Sequence, residues 1–339
     1  MSDSPRGNMA GIGIIVGGKQ PEKHELLLRS AAVTAEVFRV NGHEVRLAAA
    51  GDPRTFDELR AMDVAFLGLA DDYAEHGTFQ GVLETMGIPY TGSGIAESAR
   101  SMHKPGSKER VAAVGVDVLP QVGGEELDEA GPDGARLAAA RIGLPAIVKP
   151  ESEGCSAGIS VAHSLEELAA TLALHRAEGR KVFVEPFIAG RSVTVGVLQD
   201  ADGTCGTLPV LEIESEREFS DHDAKHGHSS TRVCPADIPA GVAARVAEAA
   251  VIAHQALGCT GYSRSDFVLA ADGRAYWLEL NALPSLREKA SFATAAGAAG
   301  ITYGDLMLRV LSTSAYESGS PTRARLRSSP TAPASEGAQ

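Results

Sequence analysis

Apolar runs and amphipathic stretches alternate through the first part of the chain. Residues 11–18, GIGIIVGG, form an apolar run closed by glycines, which is typical of a buried strand, and residues 26–42 have the spacing of a helix that stops at a glycine. Two further strand patterns and a helical pattern follow at 43–51, 64–70 and 77–87. Because strands alternate with helices here, we predict an open α/β unit over residues 11–103.

The rest of the chain is richer in strands. Residues 164–179 form a helical stretch that begins with a capping box, in which Ser164 is followed three residues later by Glu167. The strand patterns around it lie at 143–150, 159–163, 181–188, 193–200 and 207–214, and a long amphipathic helix covers 241–258. With 339 residues, the chain is long enough for two or three lobes.

A hairpin near the end of the chain brings polar residues into an apolar strand. Two arms rich in β-forming residues flank Asp272-Gly273, which predicts a two-residue turn. That register pairs Ala271 with Arg274, Asp266 with Glu279, and Arg264 with Asn281. Because side chains alternate between the two faces of a strand, the residues of the last two pairs share one face, together with Trp277.

Two interpretations of this polar face stay open on the pattern alone. Asp266 and Glu279 would repel each other unless a positive charge lay between them, and carboxylate and amide oxygens are the ligands that Mg²⁺ prefers. Alternatively, the face is solvated and Arg264 neutralises Asp266. The metal interpretation depends on the turn, since a change of one residue in its length would move Asp266 to the other face.

A lysine and a loop of small residues form a second candidate site. Lys149 ends an apolar strand, and the loop 154–158 after it contains Cys155 and Ser156. Such a loop can place N–H groups over phosphates while the lysine contacts their oxygens; the alternative is an ordinary turn beside a lysine whose stem packs on apolar surface. For Cys155, a packed small residue is favoured over a nucleophile, because no base can be identified beside it.

Two other stretches are weaker candidates. Residues 13–19 fit the spacing of a P-loop, but Gln20 stands where the metal-binding hydroxyl residue should be, so we reject that motif. Residues 221–230 contain several His and Asp residues. Solvation is more common than a transition-metal site in such a stretch, and a mobile loop that presents Lys225 to a reacting centre is the better functional interpretation.

Composition narrows the class of protein. A hydrophobic fraction of 44% with 22% charged residues is typical of a soluble globular chain, and the net charge of −13 argues against nucleic-acid binding. Four cysteines without a C-x-x-C pair indicate reduced thiols, and the sequence has neither an apolar run of membrane length nor a signal-peptide pattern. We therefore expect a cytoplasmic protein, not bound to membranes, whose ends at 1–10 and 313–339 are disordered.

Ten stretches, in order along residues 11–312, resemble the D-alanine–D-alanine ligases of the ATP-grasp superfamily. They are Gly17-Gly18 with Glu25 and Ser30, EHGTFQGVLETMGIPYTGSG, MHKPGSK, GLPAIVKPESEGCSAGIS, VFVEPFIAGR, PVLEI, DAKH, VCPA, GYSRSDF and LELNALPS. Each has low specificity alone, but the ten in sequence are highly specific. The resemblance implies a three-lobed ATP-grasp fold: an N-terminal α/β lobe at 11–103, a central lobe at 104–190, and a C-terminal lobe at 191–312 that carries the hairpin.

The resemblance implies that ATP binds between the last two lobes with two Mg²⁺ ions, which Mn²⁺ can replace. Lys104 and Lys149 match the lysines that bind ATP phosphates, and Ser156 lies in the loop that covers them. Glu185 and Phe187 fall in the segment that contacts adenine. The metal ligands implied are Asp266, Glu279 and Asn281, the residues that the hairpin register also brings together.

Four further residues have implied catalytic roles. Arg264 matches the arginine that stabilises the transferring phosphoryl group, and Lys225 matches the lysine of a mobile loop. Glu25 matches the acid that holds the ammonium group of the first amino acid, and Ser285 stands where the N–H of a family glycine assists the tetrahedral intermediate.

The implied reaction joins a carboxylate to an amine. One substrate carboxylate attacks the γ-phosphate of ATP, which gives an acyl phosphate and ADP, and the amine of a second substrate then expels phosphate. The expected partners are therefore small amino acids or carboxylic acids, and the resemblance also implies a homodimer formed through the N-terminal lobe.

Departures from the family pattern fall at residues expected to face the substrates. They are Cys155 and His226 in the two loops, residues 70–73 and His76 in the first lobe, Ser192 near the ribose, Ser285, and the charged stretch 286–292, in which Ser291 remains. Because pocket contacts set discrimination between substrates, we predict a ligase whose substrates differ from two D-alanines. The alternatives are a standard D-alanine–D-alanine ligase, a non-catalytic ATP-binding protein, and a kinase that stops at the acyl phosphate.

Overall fold

The computed structural model describes residues 10–17, 24–52, 54–70, 73–154, 158–200, 202–215 and 230–314. Several residues discussed above lie outside the described residues: Gly18 and Gln20, residues 71–72, Cys155 and Ser156, and residues 221–229 with Lys225 and His226. Ala10 and Ser314, at the two limits of the described chain, are both buried.

The first sheet is parallel and has the order β2-β1-β3. Its strands are β1 (Gly11–Gly17), β2 (Glu44–Ala49) and β3 (Val64–Ala70), and its helices are α1 (His24–Val40), α2 (Thr55–Arg60) and α3 (Thr78–Met86). Every residue of β3 is buried, as expected for a parallel strand covered on both faces. The predicted α/β arrangement is confirmed. Helix α2 is not predicted from the sequence, because six residues are too few to show a helical period.

The second sheet is antiparallel and has the order β5-β4-β6. Its strands are β4 (Ala146–Pro150), β5 (Ser160–Ala162) and β6 (Val182–Pro186); the helices are α4 (Ile95–Met102), α5 (Lys104–Ala113), α6 (Gly124–Ala130), α7 (Gly134–Ile142) and α8 (Leu165–Ala177). The predicted cap of α8 is present in part. The Ser164 hydroxyl accepts the Glu167 N–H at 3.1 Å, whereas the Glu167 carboxylate accepts the N–H of His163, at 2.7 Å, instead of that of Ser164.

The third sheet is antiparallel and has the order β10-β9-β7-β11-β12, with β8 paired to β7. Its strands are β7 (Gly190–Gln199), β8 (Cys205–Thr207), β9 (Leu211–Ser215), β10 (Ser230–Val233), β11 (Tyr262–Ala270) and β12 (Ala275–Asn281); the helices are α9 (Ala240–Leu257), α10 (Ser291–Ala298) and α11 (Tyr303–Ser312). In the part of the chain that the structure describes, no helix combines the length and apolar character needed to cross a bilayer.

The first sheet shares one apolar core with the last two helices. Ile14 of β1 lies in the same buried cluster as Phe292 of α10 and Leu306 of α11. The hydroxyl groups of Thr34 on α1 and Tyr303 on α11 are 2.9 Å apart and form a hydrogen bond. The first and the last elements that the structure describes are therefore packed together.

Candidate active site

The hairpin of β11 and β12 has the predicted pairing at its functional end. Arg264 lies opposite Asn281, and Asp266 lies opposite Glu279. The predicted pairing of Ala271 with Arg274 is wrong, because the N–H of Ala270 donates to the carbonyl of Arg274 at 2.9 Å and the turn has three residues. Its last residue, Gly273, has a φ of 82°, which suits glycine at the end of a three-residue hairpin loop.

A β-bulge restores the register that the longer turn would have shifted. The pairing changes between Asp266 and Phe267, which leaves Leu278 as the extra residue of β12. Strand alternation predicts that Trp277 shares the face of Glu279, and this prediction is wrong because the bulge lies between the two residues. Trp277 is completely buried, pairs with Phe267, and its indole N–H donates to the hydroxyl of Ser265 at 3.1 Å.

Each hairpin carboxylate already has a cationic partner. Asp266 receives two hydrogen bonds from Arg264, at 2.9 and 3.0 Å, and one from the Thr194 hydroxyl at 2.6 Å. Glu279 lies 3.2 Å from the ammonium group of Lys104 on α5. Burial opposes the charge of Arg264, but the nearby carboxylates, Asp266 foremost, outweigh it and raise the pKa of the guanidinium above its ordinary value. Two positive groups thus converge on the face that carries the carboxylates.

The amide of Asn281 is held in the same arrangement. Its oxygen accepts the N–H of Leu283 at 2.8 Å, and its nitrogen donates to the Glu75 carboxylate at 3.5 Å. The side chain is therefore fixed at the end of β12, directly opposite Arg264.

A buried charge cluster lies behind these residues. Glu185 of β6 is completely buried between two ammonium groups, that of Lys149 on β4 at 2.7 Å and that of Lys108 on α5. Burial raises the pKa of the Glu185 carboxyl, but Lys149 and Lys108 together outweigh burial and hold it below its usual value. Burial lowers the pKa of Lys108, and Glu185 opposes that effect.

Sequence reasoning missed Lys108 because lysines on helices are usually solvated. A clue was present, since Lys108 follows Lys104 by one helical turn and the two side chains share a helix face. Glu185 was predicted only within an adenine-contacting segment. The structure places its carboxylate in ionic contact with lysines, while the nearby Phe187 lines the open cleft.

The cleft lies between the second and third sheets. It has a volume of about 1030 Å³ including its open mouth. Its polar lining includes Lys104, Lys149, Ser192, Thr194, Asp266 and Glu279, and its apolar lining includes Leu119, Ile147, Phe187, Ile188, Val268 and Leu278. An apolar chamber with charged groups at one side can hold a flat ring and a polyanion together.

The structure does not bring every predicted residue into this cleft. Glu25 lies on the first turn of α1, largely exposed, and accepts a hydrogen bond from Arg29 at 2.6 Å. Ser285 is half-buried and its hydroxyl accepts from Arg287 at 3.1 Å. Neither belongs to the described lining of the cleft.

The oxygen donors of the hairpin fit a hard divalent cation. Among the described residues, no group of three His, Cys, Asp or Glu side chains is arranged to hold a metal. The predicted set instead has two carboxylates, Asp266 and Glu279, with the amide of Asn281, and Mg²⁺ typically uses one or two carboxylates and completes its shell with phosphate oxygens and water. Arg264 and Lys104, which pair with the two carboxylates, show that this face attracts positive charge.

Comparison with known proteins agrees with this geometry. The family described as D-ala D-ala ligase C-terminus matches residues 114–312. The D-alanine–D-alanine ligase of Geotalea uraniireducens (strain Rf4) is 37% identical over 308 residues, which cover 90% of this chain and 96% of that protein.

Two solved structures share the fold. The D-alanine–D-alanine ligase from Bacillus anthracis complexed with ATP has a TM-score of 0.72 at 26% identity, over 94% of this chain and 100% of that chain. The VanG D-Ala:D-Ser ligase from Enterococcus faecalis has a TM-score of 0.77 at 24% identity, over 90% of this chain and 99% of that chain. At this identity, the comparison shows only that the two folds are alike. Because the family match spans more than half of the chain and a relative matches most of it, this chain belongs to the D-alanine–D-alanine ligase family, whose members have the ATP-grasp fold.

Proposed function

We propose that the protein is an ADP-forming ligase that activates the carboxylate of one amino acid with ATP and joins it to the amine of a second. The observation that carries this proposal is the convergence of four charged groups on one cleft. Asp266 and Glu279 line it from the third sheet, and Lys104 and Lys149 line it from α5 and β4. Bare nucleotide binding does not require so complete a set of charges for phosphoryl transfer.

In the first step, an oxygen of the substrate carboxylate forms a bond to the γ-phosphorus. The bond from that phosphorus to the bridging oxygen breaks, and its electron pair leaves with ADP. Lys104 and Lys149 would bind the phosphate oxygens, and Arg264 would offset the charge of the transferring group. Mg²⁺ held by Asp266, Glu279 and Asn281 would supply further positive charge to the phosphates.

In the second step, the amine nitrogen of the second substrate attacks the acyl carbon. The carbon–oxygen bond to phosphate breaks, phosphate leaves with the electron pair, and the nitrogen loses a proton, which balances on the released phosphate, to give the amide. The N–H of Ser285 and the side chain of Lys225 are our proposed contacts for the developing charge. Ser156 is the proposed cover of the phosphates, and Glu25 the proposed partner of the first ammonium group.

The departures from the family pattern predict altered substrates, but the relatives with high coverage are named for joining two D-alanines, and we therefore propose two D-alanines as the substrates. A second candidate is a different amino acid at the acceptor position. Arg232 donates to the hydroxyl of Ser291 at 3.2 Å, and Arg287 donates to that of Ser285 at 3.1 Å. These guanidinium groups lie in or beside the stretch 286–292, which the resemblance places among the residues that face the substrates, and there they favour an acceptor with an additional acidic group.

The test is ADP release with Mg²⁺ and ATP across D- and L-amino acids, singly and in pairs, with product masses measured. D-Alanine alone should give ADP and a dipeptide; turnover only with another acceptor supports the second candidate. ADP formation that requires hydroxylamine in place of an amine identifies an acyl kinase. Absence of turnover with every substrate, despite ATP binding, leaves a non-catalytic nucleotide-binding protein. Sedimentation of the same sample tests the homodimer that we also propose.

A further inference from the structure

Helix α5 joins the two walls of the cleft through two lysines spaced one turn apart. Lys104 donates to the carbonyl of Glu153, beyond β4, at 2.6 Å, and pairs with Glu279 of β12 at 3.2 Å. Lys108 pairs with Glu185 of β6 and donates to the carbonyl of Trp277 on β12 at 3.4 Å. Each lysine therefore contacts both the central sheet region and the hairpin strand. Lys104 lines the cleft, whereas Lys108 lies behind its wall.

The cluster around Lys108 has unequal charges. The side chains of Lys108 and Glu185 are 1% and 0% exposed, and that of Lys149 is 10% exposed and lines the cleft. One carboxylate thus faces two ammonium groups in a region with little water. Each oxygen of Glu185 has a different lysine as its ionic partner.

We propose that Lys108 is a positioning residue that occupies half of the Glu185 carboxylate and so keeps the charge of Lys149 available to the nucleotide phosphates. The inference rests on the proposed ATP site and deepens it, because it assigns a part of the phosphate affinity to a side chain that does not line the cleft.

The physical reason is a competition for one anion. Without Lys108, both oxygens of Glu185 would be free to pair with Lys149, and the cluster would be neutral overall. With Lys108, the cluster has an excess positive charge beside the cleft. Loss of one positive charge from this buried cluster should weaken the attraction for the phosphates and reduce affinity about tenfold, which corresponds to about 1.4 kcal/mol.

The experiment compares wild type with Lys108→Met, Glu185→Gln and the double variant. The double variant removes one cation and one anion, which restores the net charge, and a glutamine oxygen can still accept a hydrogen bond from Lys149. Exposed Lys181 supplies the matched control, Lys181→Met. The measurement is the Kd of ATP with Mg²⁺ by calorimetry, with thermal unfolding of each variant to establish that it folds.

Lys108→Met should weaken ATP binding about tenfold, and the double variant should recover most of that loss. Lys181→Met should bind as wild type does. A folded Lys108→Met protein with wild-type affinity overturns the inference, and so does a double variant that binds no better than Lys108→Met. If Lys108→Met does not fold, the double variant alone provides the test. An ATP affinity of the double variant more than about tenfold below that of wild type would then contradict the inference, because its net charge equals that of wild type. Failure of wild type to bind ATP would instead reject the proposed function.

Discussion

Lys104 and Glu279 form an ion pair, with 3.2 Å between the ammonium nitrogen and the carboxylate oxygen. The family resemblance gives these residues different partners, since the lysine should bind a phosphate and the carboxylate a metal. Binding of ATP with Mg²⁺ would then exchange both partners at once. Until that exchange the ion pair would hold both side chains at the cleft, so that neither buried Lys104 nor half-buried Glu279 is without a counter-charge.

Replacing Glu279 by Gln should reduce turnover by at least about 100-fold, because the amide cannot supply the charge that a divalent cation requires. The check is the dependence of ADP release on Mg²⁺ concentration. Exposed Glu248 on α9 supplies the control, and Glu248→Gln should behave as wild type does. Normal turnover in Glu279→Gln would remove the metal assignment.

Replacing Arg264 by Lys should lower kcat about 100-fold and change the KM for ATP much less. Lysine keeps the positive charge but loses the two parallel hydrogen bonds, of 2.9 and 3.0 Å, that orient the guanidinium on Asp266. Steady-state kinetics with ATP as the varied substrate gives both parameters. An unchanged kcat would show that the guanidinium geometry has no part in phosphoryl transfer.

Two glycine substitutions should change stability in opposite directions. Gly273→Ala should lower the free energy of unfolding by about 1 kcal/mol, because its φ of 82° is unfavourable for any residue with a Cβ atom. Gly297 lies in α10, where an added Cβ atom would meet only open space. Gly297→Ala should therefore raise the free energy of unfolding by about 0.5–1 kcal/mol. Urea unfolding measures the change in the free energy of unfolding for both variants. Changes of the same sign would contradict the argument from backbone conformation.

His254 should make the fold less stable in weak acid. Its ring nitrogen and the Ser263 hydroxyl are 2.7 Å apart, and burial lowers the pKa of His254 from 6.5 to about 4. Between these values the unfolded chain binds a proton that the native state does not, so stability falls as the pH decreases from 6.5 towards 4. The free energy of unfolding should therefore be about 2 kcal/mol lower at pH 5 than at pH 7.

The measurement is unfolding by urea at pH 7 and pH 5 for wild type, His254→Gln and His163→Gln. Loss of the ionisable ring in His254→Gln should reduce the difference between the two pH values, whatever its effect on absolute stability. His163 is exposed and serves as the control. Equal pH dependence in wild type and His254→Gln would show that this histidine is not held neutral.

The sequence predicts the main strands and helices because their apolar periods are clear, but it predicts the hairpin only in part. Asp272-Gly273 suits a two-residue and a three-residue turn, and nothing in the letters marks Leu278 as a bulge. The extra turn residue and the bulge compensate for each other, so the pairing of Asp266 with Glu279 is confirmed while the face of Trp277 is wrong.

Buried charge is the other feature that the sequence does not reveal. Lys108 has the same helical surroundings in sequence as a solvated lysine, and only the tertiary packing of α5 against β6 and β12 removes it from water. The family resemblance implies only that Glu185 lies in a segment that contacts adenine, whereas its role as the counter-ion of two lysines depends on contacts between residues distant in sequence. Local patterns carry no information on such contacts.

The common core of the first sheet and the last helices has a consequence for synthesis on the ribosome. Phe292 and Leu306 cover apolar surface of a unit that is translated nearly two hundred residues earlier. Part of the hydrophobic face of the N-terminal unit therefore has no cover until α10 and α11 have been translated. Its final folding must wait for the C-terminal helices, and a nascent chain that stops short of them would expose a surface suited to capture by chaperones.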